Sequence, residues 1–211
     1  LPDAPITVRW ELAHDEAFAR IAQKGQAQAL PALGHSVHVE VGGLDSERSY
    51  FYRFMVGGDG NDWVSAPGRT RTLPAPDAKP AALRLAYASC QRWEHGYFGA
   101  WRHLVADQPD AVVFLGDYIY EYPGAVNAVR QGTGTWALTL DDYRKRYALY
   151  KGDADLQAAH AACPWFVVWD DHEVQNDYAG LTAGDNGPAV ADFPARRAAA
   201  YQAFYEHMPL R

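Results

Sequence analysis

The hydrophobic pattern of this chain changes period once, near residue 80. Before that point apolar and polar residues alternate. Residues 6–12 (Ile-Thr-Val-Arg-Trp-Glu-Leu) follow the period of two expected of a strand with one buried face. Residues 36–41 (Ser-Val-His-Val-Glu-Val) repeat it and run into the turn signal Gly42-Gly43-Leu44-Asp45. Residues 50–56 are aromatic-rich and strand-like, closed by Gly and Asp at 57–60, and residues 69–73 make a last short strand. Short strands at this spacing predict a small all-β sandwich over residues 1–73, its first strand or two expected to lie before Leu1.

Residues 74–82 are Pro-rich and sustain neither a helix nor a central strand, so they read as a linker. Beyond it the elements alternate in kind. Residues 83–89 predict a strand and 96–106 a helix, while the apolar run 111–115 suits a strand of a parallel sheet buried on both faces. Thr139 is placed to cap a helix reaching about Tyr150, with Asp142 in a capping-box position. A helix over 154–162, a strand over 165–169 and a helix over 195–208, stopped by Pro209, complete the series. Strands alternating with helices predict an α/β layered domain over 83–211.

Charge narrows the partners. Nineteen basic against 26 acidic residues leave a net charge of −7, which disfavours nucleic acid and anionic membrane surfaces. The longest apolar runs, 111–115 and 165–169, fall far short of the roughly 18 residues a spanning helix needs, so no membrane span is expected. Two cysteines, Cys90 and Cys163, are too few for a disulfide framework. The chain starts at Leu1 with no signal segment, so the numbering is expected to begin inside a longer precursor or an excised piece.

In open α/β sheets ligands bind beyond the carboxyl ends of the strands. The first such end carries Ser89-Cys90-Gln91, the second Gly116-Asp117-Tyr118-Ile119-Tyr120-Glu121, and the third Asp170-Asp171-His172-Glu173 with Asn176. Carboxylates suit hard cations, whereas thiolate and phenolate favour a highly charged or redox-capable ion such as ferric iron. Each element alone has a plainer structural reading. A Gly-Asp step can be a turn, Cys90 a small apolar residue, the acidic run a helix cap, and Tyr118, Tyr120 and Tyr122 strand packing. Their coincidence at three strand ends favours a metal site.

The same three motifs, Ala88-Ser89-Cys90-Gln91, Gly116 to Glu121, and Trp169 to Val174 with Asn176, resemble the bacterial alkaline phosphatase D (PhoD) family. The Gly-Asp-x-x-Tyr element is also similar to the purple acid phosphatases among the calcineurin-like metallophosphoesterases. Residues 41–44, 50–54 and 68–74 resemble that family's leading fibronectin-like domain. The resemblance implies a calcineurin-like layered α/β part, incomplete in this chain, behind a fibronectin- or immunoglobulin-like sandwich. It implies that Cys90 and Tyr120 bind Fe3+ and that Asp117 bridges it to a second ion, Ca2+. Asp171 takes the place of the superfamily's asparagine ligand, Asn176 is a further candidate for the second ion, and His172 faces the phosphate.

The superfamily completes its site with later histidine and aspartate motifs that are absent here. The other histidines do not substitute; His35 and His38 read as a strand and its turn. The sequence therefore resembles the front portion of a phosphatase, expected to need a missing C-terminal portion and to be inactive alone. By resemblance the whole enzyme hydrolyses phosphate monoesters, diesters or both, on small molecules or a cell-wall polymer. It is expected to be secreted, periplasmic or wall-associated, exported often by the twin-arginine route. Two other classes stay open. One is a non-catalytic module holding carbohydrate or wall polymer on Trp10, Tyr50, Tyr52 and Trp63; the other is a metal-dependent nuclease, which the charge disfavours.

Overall fold

The alternation at residues 6–12 becomes the middle strand of an antiparallel sheet in the computed structural model, which describes residues 2–58 and 62–210. This strand, β1 (Ile6–Ala13), lies between β2 (Ile21–Ala29) and β3 (Ser49–Val56). The far side of β3 pairs with β4 (Trp63–Val64) and β5 (Gly68–Arg71). Val8, Leu12 and Tyr50 are buried on one side of the sheet and Met55 on the other.

Two features depart from the sequence pattern. Strand β2 is rich in Gln and Ala and carries Gly25, so its apolar signal is weak. The reason lies across the ladder: Gly25 faces Trp10, whose ring would stand 2.7 Å from any Cβ at position 25. Conversely, residues 36–41 form no strand. Their alternation is real, but this segment packs against the end of the last helix instead of a ladder partner. There His38 stacks on Tyr205 with ring centres 4.3 Å apart, and its Nδ1 meets the Leu210 carbonyl at 2.9 Å. His35 likewise bonds backbone carbonyls of Ala29 and Pro2, so the pair serves the backbone rather than a strand and turn. Of the turn expected at 57–60, positions 59 and 60 lie outside the described residues. The five described strands form a single antiparallel sheet, so the second sheet of a sandwich is not among them.

Residues 74–82 carry neither strand nor helix. The second layer is a parallel sheet in the order β6 (Leu85–Ala88), β7 (Ala111–Phe114), β8 (Trp165–Val167). Four α-helices among the described residues accompany it: α1 (Ala100–Ala106), α2 (Leu140–Lys151), α3 (Ala154–Ala162) and α4 (Phe193–His207). Thr139 caps α2 through the expected capping box, its Oγ1 accepting from Asp142 N–H while the Asp142 carboxylate accepts from Thr139 N–H. Helix α4 starts two residues earlier than its pattern suggested, because Asp192 caps it and Pro194 fits its first turn. Helix α1 is shorter than the 96–106 expected. Phe98 is tucked against Trp93 and Tyr150 instead of continuing a helical turn.

One face of this sheet, with Val112, Phe114 and Trp165, packs on Tyr143, Tyr147, Leu156 and Phe204 from the helices. The other carries Leu85, Tyr87, Leu115, Phe166 and Val168, all exposed, with Tyr87 at 79%. Residues 111–115 are therefore not buried on both faces by the described residues, contrary to the reading of their apolar run. A contiguous apolar face of this kind attracts apolar partners. We expect the 211-residue chain to enhance 8-anilinonaphthalene-1-sulfonate fluorescence, and the double variant Tyr87→Lys, Phe166→Lys to cut that enhancement at least about twofold. Equal enhancement by both would show the dye sits elsewhere.

Lys151, at the end of α2, is half-buried against the leading sheet, and burial pushes its ammonium down to about 8. The folded state then binds fewer protons than the unfolded chain between about pH 8 and the ordinary lysine value. Its burial destabilises the fold below pH 8, and the cost fades as pH rises through that window. Lys151→Met should therefore raise the unfolding free energy at pH 7 by on the order of 1–3 kcal/mol, a gain that shrinks toward pH 10 in urea titrations.

Candidate metal centre

Parallel pairing brings the carboxyl ends of β6, β7 and β8 side by side, and the ladder continues past them. Cys90 N–H donates to the Gly116 carbonyl at 3.1 Å and Gln91 N–H to that of Asp117 at 3.2 Å. Cys90 and Asp117 both leave their strands with positive φ, 57° and 56°. Left-handed backbone at non-glycine residues costs on the order of 1–2 kcal/mol and clusters at functional sites. Between them Gly116 has φ 99°, and a Cβ there would stand 2.4 Å from Asp170 Cβ. Only glycine lets the second and third strand ends approach this closely.

Glu173 holds that approach together. It is fully buried, and its Oε2 accepts from Asp117 N–H at 3.1 Å and Asp170 N–H at 2.9 Å. Its Oε1 accepts from Tyr118 N–H at 2.6 Å. Burial pushes this carboxyl up to about 7 against the opposing pull of the three donors.

On that frame Asp117, Asp171 and His172 place potential ligand atoms within 4.8 Å of one another. Asp117 is buried; its Oδ2 accepts from the Tyr120 hydroxyl at 3.2 Å, and its Oδ1 has no hydrogen-bond partner. The exposed Cys90 thiol meets both Asp117 and Tyr120. Burial raises the Asp117 carboxyl, more than the neighbouring His172 lowers it. Burial and the Asp117 carboxylate together drive the Tyr120 phenol above its ordinary range. A buried carboxylate oxygen without a donor, beside a thiol and a phenol, suits a cation.

His172 Nδ1 lies 2.8 Å from Glu121 Oε2, and the ring packs on Tyr120 at 4.2 Å between centres. Burial pulls its proton affinity down, but the carboxylates of Glu121, Asp117 and Asp171 together outweigh it and the net shift is upward. The other Glu121 oxygen accepts from Asn176 N–H at 2.9 Å. Asn176 itself turns its Nδ2 to Asp177 Oδ2 at 2.6 Å, while Asp171 Oδ2 accepts from Asp177 N–H. Arg146, fully buried, fastens the Tyr120 and Tyr122 carbonyls to α2 at 2.7 and 2.9 Å.

Five of the six residues singled out from sequence thus gather at one rim, with Asn176 attached to it through its backbone. The supports Glu121 and Glu173 stood inside the quoted motifs without a role. Their only signal was an acid within a few residues of a strand's carboxyl end. Of the histidines judged unsuitable, His35, His38, His160 and His207 are engaged elsewhere; His160, for one, bonds the Tyr118 hydroxyl at 2.8 Å. Of the aromatics proposed as a carbohydrate platform, Tyr50 is buried, Trp63 is exposed, and Trp10 and Tyr52 line a cavity. No helix among the described residues is long and apolar enough to cross a membrane.

Comparison with known proteins adds three findings. A family model for PhoD-like phosphatase matches residues 85–211, and one for the PhoD-like phosphatase N-terminal domain matches residues 2–74. Alkaline phosphatase D of Bacillus subtilis (strain 168) is 49% identical over 216 residues, an alignment covering all of this chain and 36% of that protein. The chain thus spans about a third of its curated relative's length. A solved structure described as that of PhoD superposes with a TM-score of 0.93 at 49% identity, covering 100% of this chain and 40% of that one.

Proposed function

Since this chain belongs to the PhoD-like phosphatase family, we propose that it serves the metal-dependent hydrolysis of phosphate monoesters, diesters or both. The observation that carries this is the gathering of Asp117, Asp171 and His172 within 4.8 Å, next to the Cys90 thiol and the Tyr120 phenol. Cys90, Tyr120 and Asp117 would hold Fe3+, and Asp117, Asp171 and Asn176 would hold Ca2+; bound there, the pair would supply Lewis acidity toward phosphoryl oxygens and water.

The chain's own residues supply the rest. Glu121 fixes the His172 ring through Nδ1, which leaves Nε2 to hold a proton against a phosphoryl or leaving-group oxygen. The aromatic faces of Tyr120 and Tyr122 restrict that ring's rotation and exclude water from its sides. Glu173 keeps Asp117 at its turn. We read the parallel sheet as part of a calcineurin-like layered sheet and the leading sheet as part of a fibronectin-like domain. Phosphate-ester small molecules or a wall polymer, met outside the cytoplasm, are the substrates we assign.

The test is elemental analysis of the full-length protein, with turnover of p-nitrophenyl phosphate and bis-p-nitrophenyl phosphate before and after chelation. Iron and calcium that leave together with turnover support the reading. Undiminished turnover in metal-free protein would sink it. The 211-residue chain by itself is expected to turn over at less than about a hundredth of the full-length rate, since these donors fill little more than one coordination sphere.

A further inference from the structure

We propose that the protein binds a small anion with a ring-sized apolar body in the cavity between the leading sheet and helices α2 and α3, held there by Lys151 and Arg69. The inference does not rest on the phosphatase reading. The cavity has a volume of about 630 Å3 and adjoins a smaller one of about 270 Å3; Tyr52, Phe54, Lys151 and His160 line both. That size is within the range of small-molecule sites, which are mostly apolar with a few convergent polar groups.

The charges around the cavity are mostly spent. Glu11 is held by Arg53 at 2.7 Å, Arg71 by Asp110 at 2.5 Å and Glu206 by Arg144 at 2.6 Å. Glu40 is engaged as well. Lys151 and Arg69 differ: among the described residues neither forms an ion pair. Arg69 reaches only the Ser49 hydroxyl, at 3.3 Å, and Lys151 Nζ stands 5.4 Å from the centre of the Tyr118 ring. Both cations are half-buried at the cavity wall, Lys151 beside the Tyr118 ring, and neither has an ion-pair partner among the described residues to offset its desolvation. His160, stacked on Trp165 at 3.8 Å, is kept neutral by burial and by Lys151. The rings of Tyr52, Phe54, His160 and Trp165 give the apolar body its faces. An anionic head would restore what Lys151 loses on burial, which no neutral ligand does.

The test is calorimetric titration of full-length protein, its metal site saturated with inorganic phosphate, with benzoate, phenylphosphonate and benzyl alcohol. Saturable benzoate or phenylphosphonate binding is expected, at least about tenfold tighter than the alcohol, and the tighter of the two identifies the head group. Lys151→Met should weaken it at least about tenfold and Arg69→Gln several-fold, with turnover within about twofold of wild type. Should either variant fail to fold, benzoate should still slow acylation of Lys151 in the wild type, read by mass spectrometry, and leave exposed Lys145 unaffected. Equal binding of the alcohol, binding indifferent to both substitutions, or unprotected Lys151 would overturn the proposal.

Discussion

Asp117→Asn in the full-length protein should lose its bound metal and its turnover together, while the fold survives. The carboxylate is buried with one oxygen lacking any hydrogen-bond partner, and a neutral carboxamide would not replace the anionic oxygen we propose as a metal ligand. The drop in kcat/KM should exceed about a thousandfold, equivalent to roughly 4 kcal/mol of transition-state stabilisation. Stability should hold or rise slightly. Asn tolerates the left-handed backbone at φ 56° well, keeps the N–H that Glu173 accepts, and removes a carboxyl whose ionisation burial opposes. Elemental analysis beside thermal unfolding separates the two effects. An Asp117→Asn enzyme that stayed metal-replete and active would refute the centre proposed here.

Glu173→Ala is the change with the largest expected effect on the fold. It strands three buried backbone donors, those of Asp117, Tyr118 and Asp170, each costing about 1–3 kcal/mol when left unpaired. The total, on the order of 3–5 kcal/mol allowing for relaxation and water entry, is a large part of a typical domain's stability. Glu173→Gln separates shape from acceptor chemistry. Its carbonyl can keep the Asp117 and Asp170 bonds, but its amide group then points N–H at the Tyr118 N–H, so about 1–3 kcal/mol should be lost. Urea midpoints at pH 7 check both. An alanine variant as stable as wild type would show that Glu173 does not hold the strand ends together.

Much of this centre was legible without coordinates because its donors sit directly after strand ends, where a parallel sheet gathers whatever follows its strands. Cys90, Asp117, Tyr120, Asp171 and His172 could therefore be placed at one rim from their order alone. The helix cap at Thr139 was similarly local, since a cap is completed within three residues. The supports were not. Glu121 reaches His172 over 51 positions and Glu173 reaches Tyr118 over 55, and no periodicity encodes a partner at that distance.

The leading layer shows the same division. Alternation marks which side of a segment faces apolar surroundings, so residues 6–12 and 36–41 looked alike. Only the fold decided that the first would find two ladder neighbours and the second would lie against α4. Strand β2 was hidden for the opposite reason, because its apolar filling is Trp10 from another strand. What the sequence by itself determined was therefore the local business of strand ends, caps and donor types. Which carboxylates support, which face of the parallel sheet is covered, and where Lys151 meets the leading sheet were decided by the tertiary structure. Those outcomes depend on contacts between distant residues, and a side chain's chemistry does not specify the neighbour that will answer it.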